Sequence, residues 1–317
     1  MTSMKIGIIG VGRVGSATAF SLLREEYVEE LHLMDIVPQV LHAVAEELRH
    51  AAAALRRDIE IFEYEKAEEI SGVDLFIITA GFPRKTAKIS RRELAGKNAK
   101  IMKDLAETLP SRNPEARYVI VTNPVDAMAS VFTKFSKENF VISTGNALDT
   151  ARFKAEVAYH LKVPVTKVEC YVVGEHGDSM VPLWSSVKVD DLSLEDYLKK
   201  TSKTIDKKLV SERVKTAGGR IISSIGGTSY GPAGAFTEIV RSIALNERKI
   251  ISIATPYHDP NITEEPVHVS WPVVVGRSIG PRIEIEITDD EKAAFEEAVK
   301  AIWNTYKNAL DYLTKEE

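Results

Sequence analysis

His176 lies between two glycines in the segment Gly174-Glu175-His176-Gly177-Asp178-Ser179, which follows the apolar run C-Y-V-V. Glycine neighbours leave an imidazole accessible and fill a protein core poorly. A histidine held beside a carboxylate keeps one tautomer, and its protonated form is stabilised. The segment therefore indicates a proton-transfer site; the alternative is a loop histidine without chemistry.

A carboxylate and a guanidinium that could serve such a site occur in Leu148-Asp149-Thr150-Ala151-Arg152. This segment opens a predicted helix, and a spacing of three residues places Asp149 and Arg152 on one side of it. Two interpretations are open at this point. The pair either belongs to the site of His176 or forms an ion pair on the helix surface.

The segment Gly10-Val11-Gly12-Arg13-Val14-Gly15 has the pattern G-x-G-x-x-G between a predicted strand and a predicted helix. The glycines allow a tight turn, a close approach of a pyrophosphate to the backbone, and close packing of helix on strand. The helix N-terminus supplies amide donors to the phosphates. This spacing predicts a dinucleotide site.

Asp35 lies twenty residues after Gly15, at the end of L-H-L-M-D, where a carboxylate would bind the hydroxyl groups of the adenosine ribose. No arginine occurs in the following I-V-P-Q, so a 2′-phosphate would meet a negative charge without a partner. The sequence therefore favours NAD over NADP. The alternative role for Asp35 is a helix cap.

The stretch from Gly81 to Leu94 carries five cations, Arg84, Lys85, Lys88, Arg91 and Arg92, with almost no acidic residue. It follows L-F-I-I-T-A-G, and another polar segment, Thr122-Asn123-Pro124, follows Y-V-I-V. Ligands bind at the carboxyl ends of strands in parallel sheets, so the cations point to an anionic ligand there. The net charge of the whole chain is -5, which argues against nucleic-acid binding and makes the cationic stretch a local feature.

The elements that must hold these segments alternate in the first half of the chain. Strands are predicted at 5–9, 31–33, 59–64, 75–80, 118–122 and 141–143, with helices at 14–23, 38–55, 91–109 and 125–136. This pattern favours a doubly wound parallel sheet. The second half mixes helices near 148–161, 203–225 and 232–246 with strands near 167–173, 181–189, 248–256, 268–275 and 283–287, and ends in a helix that starts with the capping box 288–291. We therefore expect an α/β protein with a nucleotide-binding domain at 1–145 and an α+β domain at 146–317.

The composition of the 317 residues is typical of a globular protein, with 44% apolar and 27% charged residues. The single cysteine, Cys170, excludes an intrachain disulfide and is expected to be a buried strand residue. The sequence enters a strand at once, so no signal peptide is expected, and no apolar run is long enough to span a membrane. These features predict a cytoplasmic protein without membrane or nucleic-acid partners.

The polar segments form one ordered set, namely G-V-G-R-V-G, L-M-D, I-T-A-G-F-P-R-K, R-R-E-L-A-G-K-N, V-T-N-P-V-D, L-D-T-A-R-F and V-V-G-E-H-G-D-S-M-V-P-L-W-S. Over almost the whole chain this set resembles the lactate/malate dehydrogenase family, and the last two segments are highly specific. The resemblance implies a Rossmann domain followed by an α+β catalytic domain. It also implies an oxidoreductase that transfers a hydride between NAD and a 2-hydroxy acid.

The resemblance also implies roles for individual residues. His176 would be the general acid/base for the 2-hydroxyl, and Asp149 would orient it and stabilise its imidazolium. Arg152 would bind the substrate C1 carboxylate, Arg91 would polarise the C2 carbonyl, and Asn123 would bind the C2 oxygen. The stretch 82–90 would be a lid over the substrate. The cofactor would contact Gly10, Val11, Gly12, Arg13, Val14, Gly15, Asp35, Thr79, Ala80, Gly81, Asn98, Val121, Thr122 and Asn123, and no metal would be bound.

The residue at the start of the lid reads the substrate side chain in this family, with glutamine in lactate enzymes and arginine in malate enzymes. Arg84 follows A-G-F-P and therefore predicts the reversible oxidation of (S)-malate to oxaloacetate, as in the tricarboxylic acid cycle. Counting back from Arg91 by the usual spacing selects Lys85 instead, because the lid is one residue longer than the common pattern. Thr228 falls where the family lines the side-chain pocket, and threonine there also occurs in lactate enzymes. L-lactate or broader 2-hydroxy acid dehydrogenase activity is the alternative.

Two other functions are alternatives to this prediction. An NAD-dependent glycosidase of related fold would need a Cys/His metal site, and Cys170 lies six residues before His176. A non-catalytic NAD-sensing regulator would need a basic helix-turn-helix segment. By the resemblance, the expected partners are a small dicarboxylate substrate and further copies of the chain. We expect a homotetramer, with a homodimer as the alternative.

Overall fold

The structure is a computed structural model that describes residues 3–82, 91–138 and 140–316. The strands are β1 (Met4–Ile9), β2 (Val28–Met34), β3 (Glu60–Tyr64), β4 (Leu75–Ile78), β5 (Arg117–Ile120), β6 (Val141–Ser143), β7 (Val168–Val173), β8 (Val181–Val189), β9 (Leu192–Ser193), β10 (Lys249–Tyr257), β11 (Val267–Val275) and β12 (Ile279–Arg282). The helices are α1 (Arg13–Leu22), α2 (Pro38–Ala54), α3 (Arg91–Arg112), α4 (Val125–Ser136), α5 (Ala147–Leu161), α6 (Leu194–Thr201), α7 (Lys207–Ile225), α8 (Tyr230–Ala244) and α9 (Asp289–Glu316).

The main sheet has nine strands in the order β12-β11-β10-β6-β5-β4-β1-β2-β3. Its six strands from the first half of the chain are parallel and follow the order of the doubly wound dinucleotide-binding fold. The predicted fold class, a doubly wound parallel sheet followed by an α/β second part, is confirmed. The structure adds one feature that the sequence did not indicate. The antiparallel strands β10, β11 and β12 extend the same sheet beyond β6.

The parallel strands are apolar throughout because both of their faces are buried. Successive residues of β4 alternate between two cores, so that Ile77 packs in the same core as the buried residues of α1, α2 and α8, and Ile78 packs in the core that contains those of α4 and α9. Sandwiching between helices fixes the sheet edge at which the strands end, and with it the position of the loops that follow.

The second part of the chain also forms a three-stranded antiparallel sheet, β7-β8-β9. This sheet packs with α5, α6 and α7 around a third core that contains Phe153 and Cys170. Cys170 is fully buried in β7, as expected, and burial raises the pKa of its thiol. The loop between β7 and β8 carries the segment with His176, so this sheet determines where the imidazole stands.

Two of the expected elements differ from the structure. The helix expected at 203–225 starts four residues later, because α7 begins at Lys207, where the Asp206 side chain accepts a hydrogen bond from the Leu209 amide at 3.0 Å. The short helix α6, which ends at Thr201, was not predicted. The strand expected at 283–287 is wrong, because β12 ends at Arg282 and the residues that follow belong to no strand, although Ile285 and Ile287 pack on the core. The capping box is confirmed, as Thr288 and Glu291 exchange side-chain to main-chain hydrogen bonds.

Within the described ranges, no helix combines the length and the apolar composition that crossing a membrane would require.

Candidate active site

The predicted site residues meet at the carboxyl edge of the parallel sheet. Gly10 follows β1, Thr79 follows β4 and Asn123 follows β5. The order of the strands reverses between β1 and β4, and such a switch point opens a crevice in which ligands bind. Hydrogen bonds tie the loops together, since the Thr79 hydroxyl donates to the Gly10 carbonyl at 2.6 Å and the Thr122 hydroxyl donates to the Ala80 carbonyl at 2.6 Å.

The glycine-rich loop has the geometry that a dinucleotide needs. Gly10 has a φ of 89°, and a Cβ there would approach the backbone of Ala80. A Cβ on Gly15 would overlap the carbonyl oxygen of Gly10, so the third glycine is required for packing of α1 against the loop. At Gly12, by contrast, no heavy atom of the described residues, other than Gly12 itself and its two chain neighbours, lies within 4 Å of an added Cβ. This open space beside the N-terminus of α1 fits a pyrophosphate.

The Asp35 carboxylate is fixed at the end of β2 by two main-chain amides. One oxygen accepts from Val11 N at 2.9 Å, and the other accepts from Val37 N at 3.0 Å. The second bond belongs to the turn before α2, whose N-cap is Val37 without a side-chain cap hydrogen bond, so the alternative of a helix cap is wrong for Asp35. Both bonds hold the charge in the wall of the cavity that would receive the adenosine, as the NAD prediction requires.

Two cavities share Thr79 and Gly81 and so form one groove along the sheet edge. The first has a volume of about 460 Å³ and is lined by the predicted cofactor residues Gly10, Gly12, Asp35, Thr79, Ala80 and Gly81. The second has a volume of about 370 Å³ and is lined by the predicted residues Val14, Thr79, Gly81, Asn98, Val121, Thr122, Asn123, Arg152, His176 and Thr228. The groove therefore runs from the predicted adenosine site to the predicted proton-transfer site.

His176, Asp149 and Arg152 form one hydrogen-bonded group beside the second cavity. Nδ1 of His176 lies 2.6 Å from one carboxylate oxygen of Asp149, and Nη1 of Arg152 donates to the other at 2.9 Å. The Asp149 side chain is 0% exposed, that of Arg152 is 16% exposed and that of His176 is 26% exposed. The alternative of a surface ion pair between Asp149 and Arg152 is therefore wrong. The pairing of His176 with a buried carboxylate supports its proton-transfer role, which stays a prediction.

The charges around this group set its protonation. Burial opposes a protonated His176, but the charge and hydrogen bond of Asp149, together with Asp126, outweigh it and raise the pKa of His176 above its ordinary value of 6.5. Burial likewise opposes an ionised Asp149, but His176 and Arg152 outweigh it and lower the pKa of Asp149. Asp149 is thus an ionised carboxylate that holds Nδ1, which leaves Nε2 for proton transfer.

Asn98 connects two walls of the cavity. Its side-chain oxygen accepts from Phe82 N at 2.7 Å, and its side-chain nitrogen donates to the Asn123 carbonyl at 2.7 Å. Asn98 was predicted as a cofactor contact, and it does line the cavity. Its buried amide also fixes Asn123 relative to the point where the predicted lid begins.

Three predicted cofactor residues have positions away from the cavity walls. Val11 is buried and contributes its amide to Asp35, and Gly15 is buried under the loop. Arg13 is exposed and lies against the turn between α7 and α8, where a Cβ on Gly227 would come within 2.8 Å of Arg13 Cδ. Of these three, only Arg13 has a side chain that could reach a phosphate.

The predicted lid falls mostly outside the described residues, and with it Arg84 and Lys85. Arg91 is the first residue of α3, but its side chain lies outside the described part. The predicted roles of these three side chains stay predictions.

The sequence did not single out Asp126, which is buried in the first turn of α4 and accepts a hydrogen bond from His176 N at 2.8 Å. It also did not single out several apolar wall residues of the second cavity, namely Val125, Leu148, Ile222, Pro232 and Phe236. An acidic residue in a first helical turn is usually explained by the helix dipole, so no sequence signal distinguished Asp126.

Among residues 3–82, 91–138 and 140–316, no group of three or more His, Cys, Asp or Glu side chains could hold a metal ion.

Sequence profiles of known families match the chain in two parts. The profile described as "lactate/malate dehydrogenase, NAD binding domain" matches residues 4–141. The profile described as "lactate/malate dehydrogenase, alpha/beta C-terminal domain" matches residues 146–312.

Individual proteins are similar over nearly the whole chain. A malate dehydrogenase of Sulfolobus acidocaldarius is 42% identical over 310 residues, which cover 98% of this chain and 98% of the relative. An L-lactate dehydrogenase of Clostridium perfringens is 33% identical over 296 residues, which cover 91% and 92%. The crystal structure of malate dehydrogenase from Plasmodium falciparum in complex with NADH superposes with a TM-score of 0.87 at 27% identity, covering 97% of this chain and 99% of the other.

Proposed function

The chain belongs to the lactate/malate dehydrogenase family, and from this premise we propose that it is an NAD-dependent malate dehydrogenase. It interconverts (S)-malate and oxaloacetate. The observation that carries the proposal is the buried Asp149 carboxylate bonded to both His176 and Arg152 beside the cleft. These three side chains supply a proton acceptor, its orienting partner and a binding group for a carboxylate.

The cleft fits the cofactor, because the glycine loop leaves open space at Gly12 and Asp35 is fixed in the wall of the adenosine cavity. When bound, NAD supplies the acceptor for the hydride that leaves C2 of malate. The remaining steps belong to side chains of the protein.

His176 takes the proton of the 2-hydroxyl on Nε2 as the C2 oxygen becomes a carbonyl. Asp149 holds Nδ1 at 2.6 Å, so the ring cannot turn and the new positive charge faces a buried carboxylate. In the reverse direction the protonated imidazole returns the proton to the C2 oxygen of oxaloacetate. The raised pKa of His176 favours the protonated form that this reduction needs.

Arg152 is the group that binds the C1 carboxylate. Its side chain is mostly buried, and Nη1 donates a hydrogen bond to Asp149. This bond fixes the orientation of the guanidinium. A fixed planar guanidinium binds a carboxylate through paired hydrogen bonds. Asn123 lines the same cavity and binds the C2 oxygen, while Asn98 holds its main chain.

Replacement of His176 tests this chemistry. His176→Asn should lower kcat for malate oxidation by roughly 10²- to 10⁴-fold and leave the Kd for NADH unchanged. His42→Asn is a matched control, because His42 is also paired with a carboxylate, Glu63, but is exposed on α2. A His176→Asn enzyme with more than a tenth of the wild-type kcat would disprove the assigned role.

The choice of malate over lactate rests on the higher identity to the malate enzyme and on the cation predicted at Arg84 or Lys85. The alternative is an L-lactate or broader 2-hydroxy acid dehydrogenase, because Thr228 lines the cavity and threonine at this position also occurs in lactate enzymes. Arg84→Gln and Lys85→Gln separate the two candidate positions. The substitution at the selecting position should lower the kcat/KM ratio of oxaloacetate to pyruvate by at least about tenfold, and the other should leave it unchanged.

We also propose a cytoplasmic homotetramer that acts in the tricarboxylic acid cycle. Support for self-association comes from large apolar side chains that are exposed in the single chain, among them Val40 and Tyr230. Light scattering after gel filtration measures the mass directly. A particle of one chain's mass at micromolar concentration would exclude the tetramer.

A further inference from the structure

Asp126 is a buried carboxyl group that the mechanism above leaves without a role. It lies in the first turn of α4, three residues after Asn123, and is 3% exposed. Ionisable groups at such positions carry a desolvation cost, so their contacts call for a physical explanation.

Both carboxylate oxygens of Asp126 are engaged by groups from other elements. One accepts from the main-chain N–H of His176 at 2.8 Å, and the other accepts from the Ser143 hydroxyl at 3.1 Å. Ser143 ends β6, and its hydroxyl oxygen in turn accepts from Gly145 N at 3.1 Å. Asp126 therefore joins the helix that follows Asn123 to the loop that carries the imidazole.

The charges near Asp126 come mainly from that loop. Burial raises the pKa of Asp126 to about 7, while the hydrogen bond and charge of His176 and the hydrogen bond of Ser143 lower it and Glu175 raises it. Among the described residues, the charged groups that act most strongly on His176 are Asp149, Asp126 and Arg152. The imidazole is thus faced by two buried carboxyl groups, of which Asp149 contacts the ring and Asp126 contacts the main chain.

We propose that Asp126 is a positioning residue of the reaction: it holds the His176 main chain at the cleft and, when ionised, adds a second buried negative charge that stabilises the imidazolium. The inference rests on the proposed function, because that function makes His176 the proton acceptor. Asp126 touches neither the reacting atoms nor the imidazole, so it acts only through His176.

Two substitutions separate the charge from the hydrogen bond. Asp126→Asn keeps an oxygen that can accept from His176 N but removes the negative charge. Asp126→Ala removes both. Asp74→Asn is the matched control, since Asp74 also accepts a main-chain N–H, from Lys5 at 2.8 Å, and lies on the loop before β4, at the opposite end of that strand from the cleft.

The first readout does not require turnover. The rate at which diethyl pyrocarbonate modifies His176, located by peptide mass spectrometry, is measured against pH in the substrate-free enzyme. Asp126→Asn should move the midpoint to lower pH by about half a unit or more, because a nearby negative charge favours the protonated ring, whereas Asp74→Asn should leave it in place. A merely structural role would lower the thermal midpoint without moving this titration.

The second readout is steady-state malate oxidation. Asp126→Ala should have a kcat at least about fivefold below that of Asp126→Asn, because it leaves the His176 amide without its acceptor. A titration midpoint in Asp126→Asn equal to that of the control, or equal kcat values for the two Asp126 variants, would overturn the proposal. If Asp126→Ala fails to fold, the pH dependence of His176 modification in Asp126→Asn still tests the proposal. If diethyl pyrocarbonate modified His176 of the wild-type enzyme normally but that enzyme did not oxidise malate, the result would count against the proposed function and not against this inference.

Discussion

Replacement of Asp149 by asparagine tests the most consequential contact of the site. Asp149 is fully buried and is bonded to Nδ1 of His176 at 2.6 Å and to Arg152 at 2.9 Å. Asparagine has nearly the same shape as aspartate, so the substitution removes the negative charge and leaves the volume of the side chain almost unchanged. It also permits the wrong ring tautomer, because the amide nitrogen can donate to Nδ1.

The expected loss can be worked out from these contacts. A hydrogen bond to a charged group contributes about 1.5–3 kcal/mol. Two unit charges roughly 4 Å apart at an effective dielectric constant of about 20 attract each other by about 4 kcal/mol. A loss of about 2–4 kcal/mol in transition-state stabilisation corresponds to roughly a 30- to 900-fold decrease in kcat/KM for malate. The pH at which malate oxidation reaches half its maximum should also move to lower values, because the carboxylate that raises the pKa of His176 is gone.

The assay is the appearance of NADH with malate as substrate, measured across pH for the wild type and Asp149→Asn. Glu297→Gln is a matched control, because Glu297 also forms an ion pair three residues along a helix, with Lys300 at 2.6 Å, but both side chains are exposed. This control should stay within about twofold of the wild type, since exposed pairs contribute little. If Asp149→Asn lost less than about fivefold with an unchanged pH profile, the assigned role of Asp149 would be refuted.

Three further predictions follow from the same contacts. Gly15→Ala should lower the free energy of unfolding by about 1–3 kcal/mol in thermal or urea unfolding, because its Cβ overlaps the Gly10 carbonyl oxygen. Gly12→Ala should leave the free energy of unfolding unchanged and raise the Kd for NADH. Equal effects of the two variants on stability would contradict the packing argument. Arg152→Lys should raise the KM for malate by roughly 10- to 100-fold at an unchanged Kd for NADH, because an ammonium group cannot form the paired hydrogen bonds; an unchanged KM would remove Arg152 from the substrate site. The rate of malate oxidation should rise, and that of oxaloacetate reduction should fall, as pH increases through the pKa of His176, which the site raises above 6.5. If the midpoints of both pH profiles lay below 6.5, they would contradict the electrostatics of the site.

Local sequence patterns predicted most of the site because the chemistry depends on short segments. The glycine spacing from Gly10 to Gly15, the helix pair Asp149 and Arg152, and His176 between glycines are each readable within six residues. The alternation of strands and helices then placed these segments at one edge of a parallel sheet. The structure adds that Asp149 is buried, which spacing alone could not decide.

The features that the sequence did not reveal depend on contacts between distant residues. Asp126 bonds to the main chain of a residue fifty positions away, and its own segment resembles an ordinary helix start. The continuation of the main sheet by β10 depends on a single pairing of Ala254 with Ser143. The alternation at 283–287 matches a strand, but alternation reports only which side chains face the core and cannot show that a neighbouring strand is present.

The central claim is that this chain reduces oxaloacetate with NADH and discriminates against pyruvate. The most direct measurement is kcat/KM for both keto acids, with the purified wild-type enzyme under identical conditions. A cation that is left without a carboxylate partner in a closed site costs about 3–5 kcal/mol, so we predict a preference for oxaloacetate of at least about a hundredfold. Equal values for the two substrates, or a preference for pyruvate, would contradict the assignment as a malate dehydrogenase.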